Sequence, residues 1–377
     1  MKMNQNLFQK VGILMGATLA FIGALYYAND GFTPEETSGQ SLHETARVIR
    51  VLEDNTSLTE GGIFFGDMLV EIEILTGPHR GLITQSDYFL NQMANVHLET
   101  GDRVSVRFSI FSDGEVGPLQ IEGLERREAV IAFFLIFLIV LGLMGGKRGI
   151  MAIAGLAFTL ISLIFLLIPL MLKGYPVMLT TFVILTFVTI VSLTFLCGIT
   201  VKSISAMLGC VMGVGATALL THLAGRLTNI SGFNMEDVGM ILSTTDFPQT
   251  EAAGLFISGV LIATLGAVMD TAVTIASTIE ELKLANPNLS VGKLFRAGMN
   301  VGKDTMGTMS TTLILAFAGG SLNMMILIYS QGTSFNQLIN SDFIVAEIIR
   351  SIAGSLGIIL TIPAVAAISS MMETPSK

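Results

Sequence analysis

At 377 residues the chain is 51% hydrophobic and 13% charged, with a mean hydropathy of +0.72. Those values exclude the soluble globular class and read as a protein with many membrane spans. The formal charge of −9 argues against nucleic acid as a partner.

The first element is an apolar run from Val11 to Ala28, preceded by Lys2 and Lys10. Residues 1–28 fit an uncleaved transmembrane anchor. The competing expectation is a signal peptide ending at Ala28, for which Tyr26 at minus three is a poor match. Residues 29–128 read as an extracytoplasmic β-rich domain, because ARVIRVLED, DMLVEIEIL, NVHLETGDRVSVRFSIF and LQIEGL alternate apolar and polar residues between Gly, Asn and Pro turns. A small barrel or sandwich is expected, with Leu75–Leu82 as a strand, tight turn and strand of the SH3-like or OB-like kind. This stretch holds seven Arg, no Lys and 18 acidic residues, a net of −11, so anionic headgroups are poor partners for it. His43, His79, His97 and His222 lack the spacing of a zinc site, and His79 and His97 are expected on the surface or in turns. Cys197 and Cys210 fall in or beside membrane spans and imply no disulfide framework.

Residues 129–377 read as a transmembrane helical bundle. Apolar runs cover Ala129–Met144, Ile150–Leu172, Val177–Gly198, Ser203–Ala224, Ala252–Ile279, Met306–Ser330 and Ile344–Met371, so with the anchor about eight helices are expected. An outer loop, 225–251, is expected to hold a short helix. Its Glu236, Asp237 and Asp246 with Glu251 have the chemistry to gather around a hard cation, although a solvated charge run is the better explanation, and Asn229-Ile-Ser231 is a chance match to a glycosylation acceptor. An inner loop, 280–305, carries the Asn286-Pro287 breaker and an amphipathic piece from Leu289 on. There Leu294, Phe295 and Met299 with Lys293, Arg296 and Lys303 suit a helix at the lipid interface. Lys2, Lys10, Lys147, Arg148, Lys202, Lys283, Lys293, Arg296, Lys303 and Lys377 fall on one side, against Lys173, Arg226 and Arg350 on the other. Both termini are therefore expected in the cytoplasm.

The most informative residue is Asp270, in an uncharged run from Ala252 to Ile279. At a bilayer centre a carboxylate costs roughly 2.5–3.5 kcal/mol on insertion scales, so it is expected to face a bundle interior, a partner or a water path. Thr274, Ser277, Thr278 and Glu281 share its helical face, and the opposite face is apolar. In the next span Asp304, Thr308, Thr311 and Thr312 repeat the pattern, and the two stripes are expected to meet inside a hairpin where hydroxyls bond the Asp270 carboxyl. Together these residues form a candidate proton or ion relay: Asp270, Thr274, Asp304, Thr308, Thr311 and Thr312. Ser205, Gly209, Gly213, Thr217 and Thr221 repeat every four residues as a small face for helix packing, expected against the smooth side of the Asp270 helix at Gly259, Ala263 and Gly266. Glu347 and Arg350, three apart in the last span, have the spacing to pair, but snorkelling is the preferred expectation. The chain has no G-x-S-x-G, H-E-x-x-H or Walker pattern, so neither an enzyme nor an ATP-driven engine is expected, no cofactor is called for, and any metal is unknown.

The stretch from Gly254 through TLGAVMDTAVTIASTIEELKLANPNLSVGKLFRAGMNVGKDTMGTMSTTLIL to AEIIRSIAGSLGIILTIP resembles the core of the YibE/F-like family of bacterial multi-span membrane proteins. The resemblance implies a bacterial cell membrane and no settled activity; at the position before Asp270, often a second Asp in that pattern, this chain has Met269. The hairpin alone is similar to paired helices of the SecD/SecF branch of the RND transporters, which implies proton flow through Asp270, but an obvious deep Lys or Arg partner on the next helix is lacking. The resulting expectation is a proton- or ion-coupled transporter or translocation component. The alternative is a non-transporting receptor or assembly factor that anchors the acidic domain. Membrane lipid, an unknown small solute, ion or protein, and a second copy of the chain are the partners expected.

Overall fold

A computed structural model describes residues 21–30, 40–90, 95–110, 116–230, 232, 238–245 and 247–373. Lys2, Lys10, Lys377, Ser231, Glu236, Asp237, Asp246 and most of the Val11–Ala28 run lie outside the described residues. The chain divides into two compact units, residues 33–140 and a second made of 1–32 with 141–377.

The first unit is built on β1 (Gln40–Asp54), β2 (Ser57–Leu58), β3 (Phe64–Ile74), β4 (Ile83–Leu90), β5 (Arg103–Ile110) and β6 (Val116–Leu124). They form one antiparallel sheet in the order β2-β3-β1-β5-β6, with β4 on β3. One curled sheet therefore replaces the sandwich alternative. The long β1 pairs with both β3 and β5, and register shifts at Val48/Arg50 and Val51/Glu53 mark where it bends. The curl brings β4 to β6, where the Ser86 hydroxyl donates to the Leu119 carbonyl at 3.3 Å. Strict alternation along β3 puts Met68, Val70, Ile72 and Ile74 inside, against Ala46, Val48, Val104, Val106 and Phe108.

Leu75–Leu82 is the turn between β3 and β4 rather than a strand pair of its own. His79 lies in this turn, one of the two places expected for it, with its side chain partly buried. Its Nδ1 lies 3.0 Å from the buried Glu44 carboxylate and its ring stacks on Phe108, centroids 4.6 Å apart. Gly77, at φ +75°, abuts that carboxylate so closely that any side chain would collide with it. His97 stays near the surface and meets Asp54 at 2.8 Å.

In the second unit α1 is described over residues 21–29. Next comes α2 (Arg127–Ser162), whose first arm belongs to the other unit; a single π turn, Leu163–Leu167, leads into α3 (Ile168–Leu172). Gly146 interrupts α2 at φ 53°, ψ −131°. A Cβ on Gly149 would strike the Leu141 carbonyl, a contact a straight helix cannot make across eight residues rising about 1.5 Å each. The chain therefore turns sharply between Leu141 and Gly149, at the junction of the expected spans 129–144 and 150–172.

After these come α4 (Val177–Cys197), α5 (Val201–Leu227), the short helix α6 (Val238–Thr244) within the 225–251 stretch, α7 (Ala252–Ala285), α8 (Val291–Gly320), α9 (Leu322–Ser330), α10 (Phe335–Ile339) and α11 (Asp342–Met372). Among the described residues five stretches are long and apolar enough to cross a bilayer: Arg127–Leu172, Val177–Cys197, Val201–Leu227, Gln249–Ala285 and Asp342–Met372. The pair α8 and α9, bent by 60° at the Gly319-Gly320-Ser321 break, would make one more. So Met306–Ser330 is not one straight span, and α8 starts well before it. The inner loop shrinks to residues 286–290, because the Asn-Pro breaker stops α7 only at Ala285. Leu294 is fully buried in the core rather than turned to lipid, with Phe295 and Met299 packed beside it.

The core helices are α5, α7, α8 and α11. The small face of α5 packs on α11, which corrects the expected pairing with the smooth side of α7. A Cβ on Gly209 would strike Val365, one on Gly213 would strike Thr361, and one on Gly357 of α11 would strike Thr217. Glycines on both helices alternate with threonines, so each backbone accepts the other's side chain and the helices approach closely. The helix α7 meets α5 through Val268 and lies across α11 at Gly354, against Thr264. Ser205, Gly209, Gly213, Thr217 and Thr221 are all buried.

Candidate functional site

On α7 the buried residues include Val260, Leu261, Thr264, Leu265, Val268, Ala272, Ile275, Ala276 and Ile279, an apolar face turned into the bundle. Asp270 points the other way. It is exposed, with Ala263, Gly266, Thr274 and Glu281 on the same uncovered face, and no Cβ built at Gly259 or Gly266 would touch anything within 4 Å. Among the described residues no hydrogen bond and no ion pair reaches the Asp270 carboxyl. The expectation that it faces the bundle interior is thereby corrected.

The second stripe is uncovered too. Asp304, Thr308, Thr311 and Thr312 of α8 are exposed, while Leu294, Gly298, Gly302 and Leu313 face inward. The hydroxyls of Thr308 and Thr312 donate to the Thr305 and Thr308 carbonyls at 2.9 Å each, and that of Thr278 to Thr274. The two stripes make no hydrogen bond with each other. These three hydroxyls satisfy themselves on their own helix backbones, the ordinary habit of Thr in apolar surroundings, and need no partner across the hairpin.

A carboxylate that does have partners is Glu347 on α11. Its Oε1 accepts from Arg350 Nη1 at 2.6 Å, and both side chains are largely buried. The guanidinium lies 5.7 Å from the Phe256 ring of α7 and 5.8 Å from the Phe317 ring of α8. Snorkelling is therefore corrected. Two aromatic faces hold the cation at the junction of three helices. The spacing of Glu347 and Arg350 signalled the pair; nothing in the sequence placed Phe256 and Phe317 beside it.

Other polar groups tie the bundle together. Lys202 at the start of α5 pairs with Glu280 at 2.7 Å, and the Thr181 and Ser258 hydroxyls of α4 and α7 meet at 2.7 Å. Glu251 does not await a cation. Its Oε2 accepts from the Val177 backbone N–H at 2.9 Å and caps the start of α4. The end of α1 is held by Lys173, which donates to the Tyr27 and Asp30 carbonyls at 2.6 and 2.7 Å. Asn29 donates to the Leu25 and Phe165 carbonyls at 2.8 Å each. Phe165 sits in the π turn, where the wider turn frees a carbonyl from the helix ladder. Both cysteines are free, and among the described residues no three His, Cys, Asp or Glu side chains gather to hold a metal.

The profile of the YibE/F-like protein family matches residues 133–375, the whole stretch from the first apolar arm of α2 to the end of α11. The chain belongs to the YibE/F-like family. Its long apolar helices and this membership fit a membrane protein. No curated protein and no solved structure matches the chain. The family match covers Asp270, both polar stripes and the Glu347–Arg350 pair, and leaves the curled sheet outside it.

Proposed function

We propose that this YibE/F-like protein is a proton- or ion-coupled membrane transporter or translocation component in which Asp270 takes up and releases the coupled ion. One observation carries the reading. The carboxyl sits midway along an apolar helix of 34 residues, with no hydrogen-bond or ion-pair partner among the described residues, on a face that it shares with Ala263, Gly266, Thr274 and, farther along, Glu281. A charged group at membrane depth is retained for a task more often than for packing, and here the packing residues are on the other face. Thr274, Asp304, Thr308, Thr311 and Thr312 would flank the ion's route. A second copy of the chain laid on the Gly259–Ala263–Gly266 face would remove the stripe from lipid. Both termini are placed in the cytoplasm of a bacterial cell by the distribution of Lys and Arg.

The test is proton flux into liposomes that hold the wild-type protein or Asp270→Asn, with a pH-sensitive dye inside and an imposed proton gradient. Flux in wild type that is lost in the variant supports the relay. Equal flux in both, or none in a wild type that is folded, refutes it. The alternative, a receptor or assembly factor without transport, is favoured by one observation: the curled sheet has a complete apolar core of its own and its own compact unit. On that reading Asp270→Asn leaves the cellular function intact.

A further inference from the structure

The curled sheet holds a cavity of about 190 Å³ beside β4, β5 and β6. That is room for a ligand of several non-hydrogen atoms rather than for one water. Tyr88 lines it. The residue is 2% exposed, and among the described residues no group accepts its O–H proton. Burial pushes the phenol above its ordinary range, while the Val96 N–H and the Arg126 charge act against that rise. The hydroxyl is therefore a neutral donor with nothing to donate to, an uncommon state for a buried group. One wall is fixed in advance, since the Asn95 side chain bonds both the N–H and the carbonyl of Phe64, at 3.1 and 2.9 Å.

Two opposite charges line the same cavity. Arg50, Arg103, Arg107 and Arg127 lie within ion-pair distance of Glu71, Glu128, Glu122 and Glu125, whereas Arg126 makes no ion pair among the described residues. The other charge among the lining residues is Glu122, whose carboxylate also lies 3.3 Å from His43 and 3.4 Å from Arg107. A bare anion would meet Glu122 and an acidic domain, and a bare cation would meet Arg126. A net-neutral molecule with one charge of each sign satisfies both walls and feels no net pull from the domain's −11.

We propose that this cavity binds a small zwitterion of the α-amino-acid kind, its carboxylate on Arg126 and the Tyr88 hydroxyl, its ammonium on Glu122. The site belongs to the other compact unit from Asp270, and it holds or fails independently of the transport reading. Titration calorimetry on the full-length protein in detergent micelles would test it, using each of the proteinogenic amino acids and, as controls, acetate, methylammonium and inorganic phosphate. Saturable heat is expected for one or more amino acids, with each control at least tenfold weaker. Arg126→Gln and Tyr88→Phe should each weaken that binding tenfold or more. Without ligand, Tyr88→Phe should melt no lower than wild type, because it removes a buried donor that has no acceptor. Absence of saturable heat with every amino acid overturns the proposal. So does unchanged affinity in Arg126→Gln, or acetate or phosphate binding as tightly as the amino acids, which would mark an oxyanion site instead.

Discussion

Glu347 and Asp270 are both carboxylates in helices long enough to span a bilayer, and they differ in almost everything else. Glu347 has a cation at 2.6 Å whose own flanks rest on Phe256 and Phe317. Asp270 has no hydrogen-bond or ion-pair partner among the described residues. A buried ion pair is worth little against an apolar substitute, yet it is costly to break by halves, so Glu347 and Arg350 belong to the architecture. Asp270 contributes nothing comparable to the fold. What separates a fastening from a candidate working part in this bundle is therefore the company each carboxylate keeps, not its depth.

The contrast can be broken most forcefully at Arg350. Arg350→Met strands the Glu347 charge among three helices and should cost about 3–5 kcal/mol, the usual penalty for halving a buried pair. Thermal unfolding in detergent should show the largest fall of any variant here, and Glu347→Gln combined with Arg350→Met should recover much of it. Next comes the α5–α11 seam. Gly213→Ala drives a methyl into Thr361 and should cost about 1–3 kcal/mol, as overpacking does, visible in the same melt. Thr181→Ala removes one buried hydroxyl contact with Ser258 and should cost around 1 kcal/mol. At the other end of the scale, Asp270→Asn should leave the melt within about 0.5 kcal/mol of wild type, as substitutions away from packing usually do, while abolishing proton flux. A large loss of stability in Asp270→Asn would erase the distinction drawn between the two carboxylates.

The smallest effect concerns pH and the curled sheet. Hydrogen bonds from Thr56 and then His97 hold Asp54 down to about 2 from an ordinary 3.8. A carboxyl lowered on folding lends stability above its unfolded value, and that stability is lost as pH falls through the folded one. The contribution should thus be full above pH 4 and fade towards pH 2. Acid titration by circular dichroism should show a slightly flatter curve for Asp54→Asn than for wild type across that window.

Much of this was legible in the sequence, for reasons that can be named. Alternation gave β1, β3, β5 and β6 because every second residue of their central stretches, such as Met68, Val70, Ile72 and Ile74, faces one core. It missed β4, in which Ile83 and Phe89 are exposed while Ser86 is buried, so the usual inside-out pattern is partly inverted. The polar stripe on α7 was plain from spacing. Its direction was not, since lipid and protein interior are both apolar and hydropathy cannot tell one side of a helix from the other. The small face of α5 was equally plain, but its partner depended on where α11 places Gly357, far away in the chain. The cavity beside Tyr88 was out of reach, because it is assembled from β4, the 95–96 segment, β5, the end of β6 and Arg126 just after it.

The clasp between Asn29 and the π turn has a consequence for biosynthesis. The carbonyl it holds lies 136 residues downstream, and Lys173, which caps the end of α1, is farther still. When α1 leaves the ribosome its dock has not been translated, and the whole curled sheet must be made in between. For that interval α1 is an unassembled helix that tethers one end of the growing sheet. Its last turn finds its partners only once the residues through Lys173 have been made.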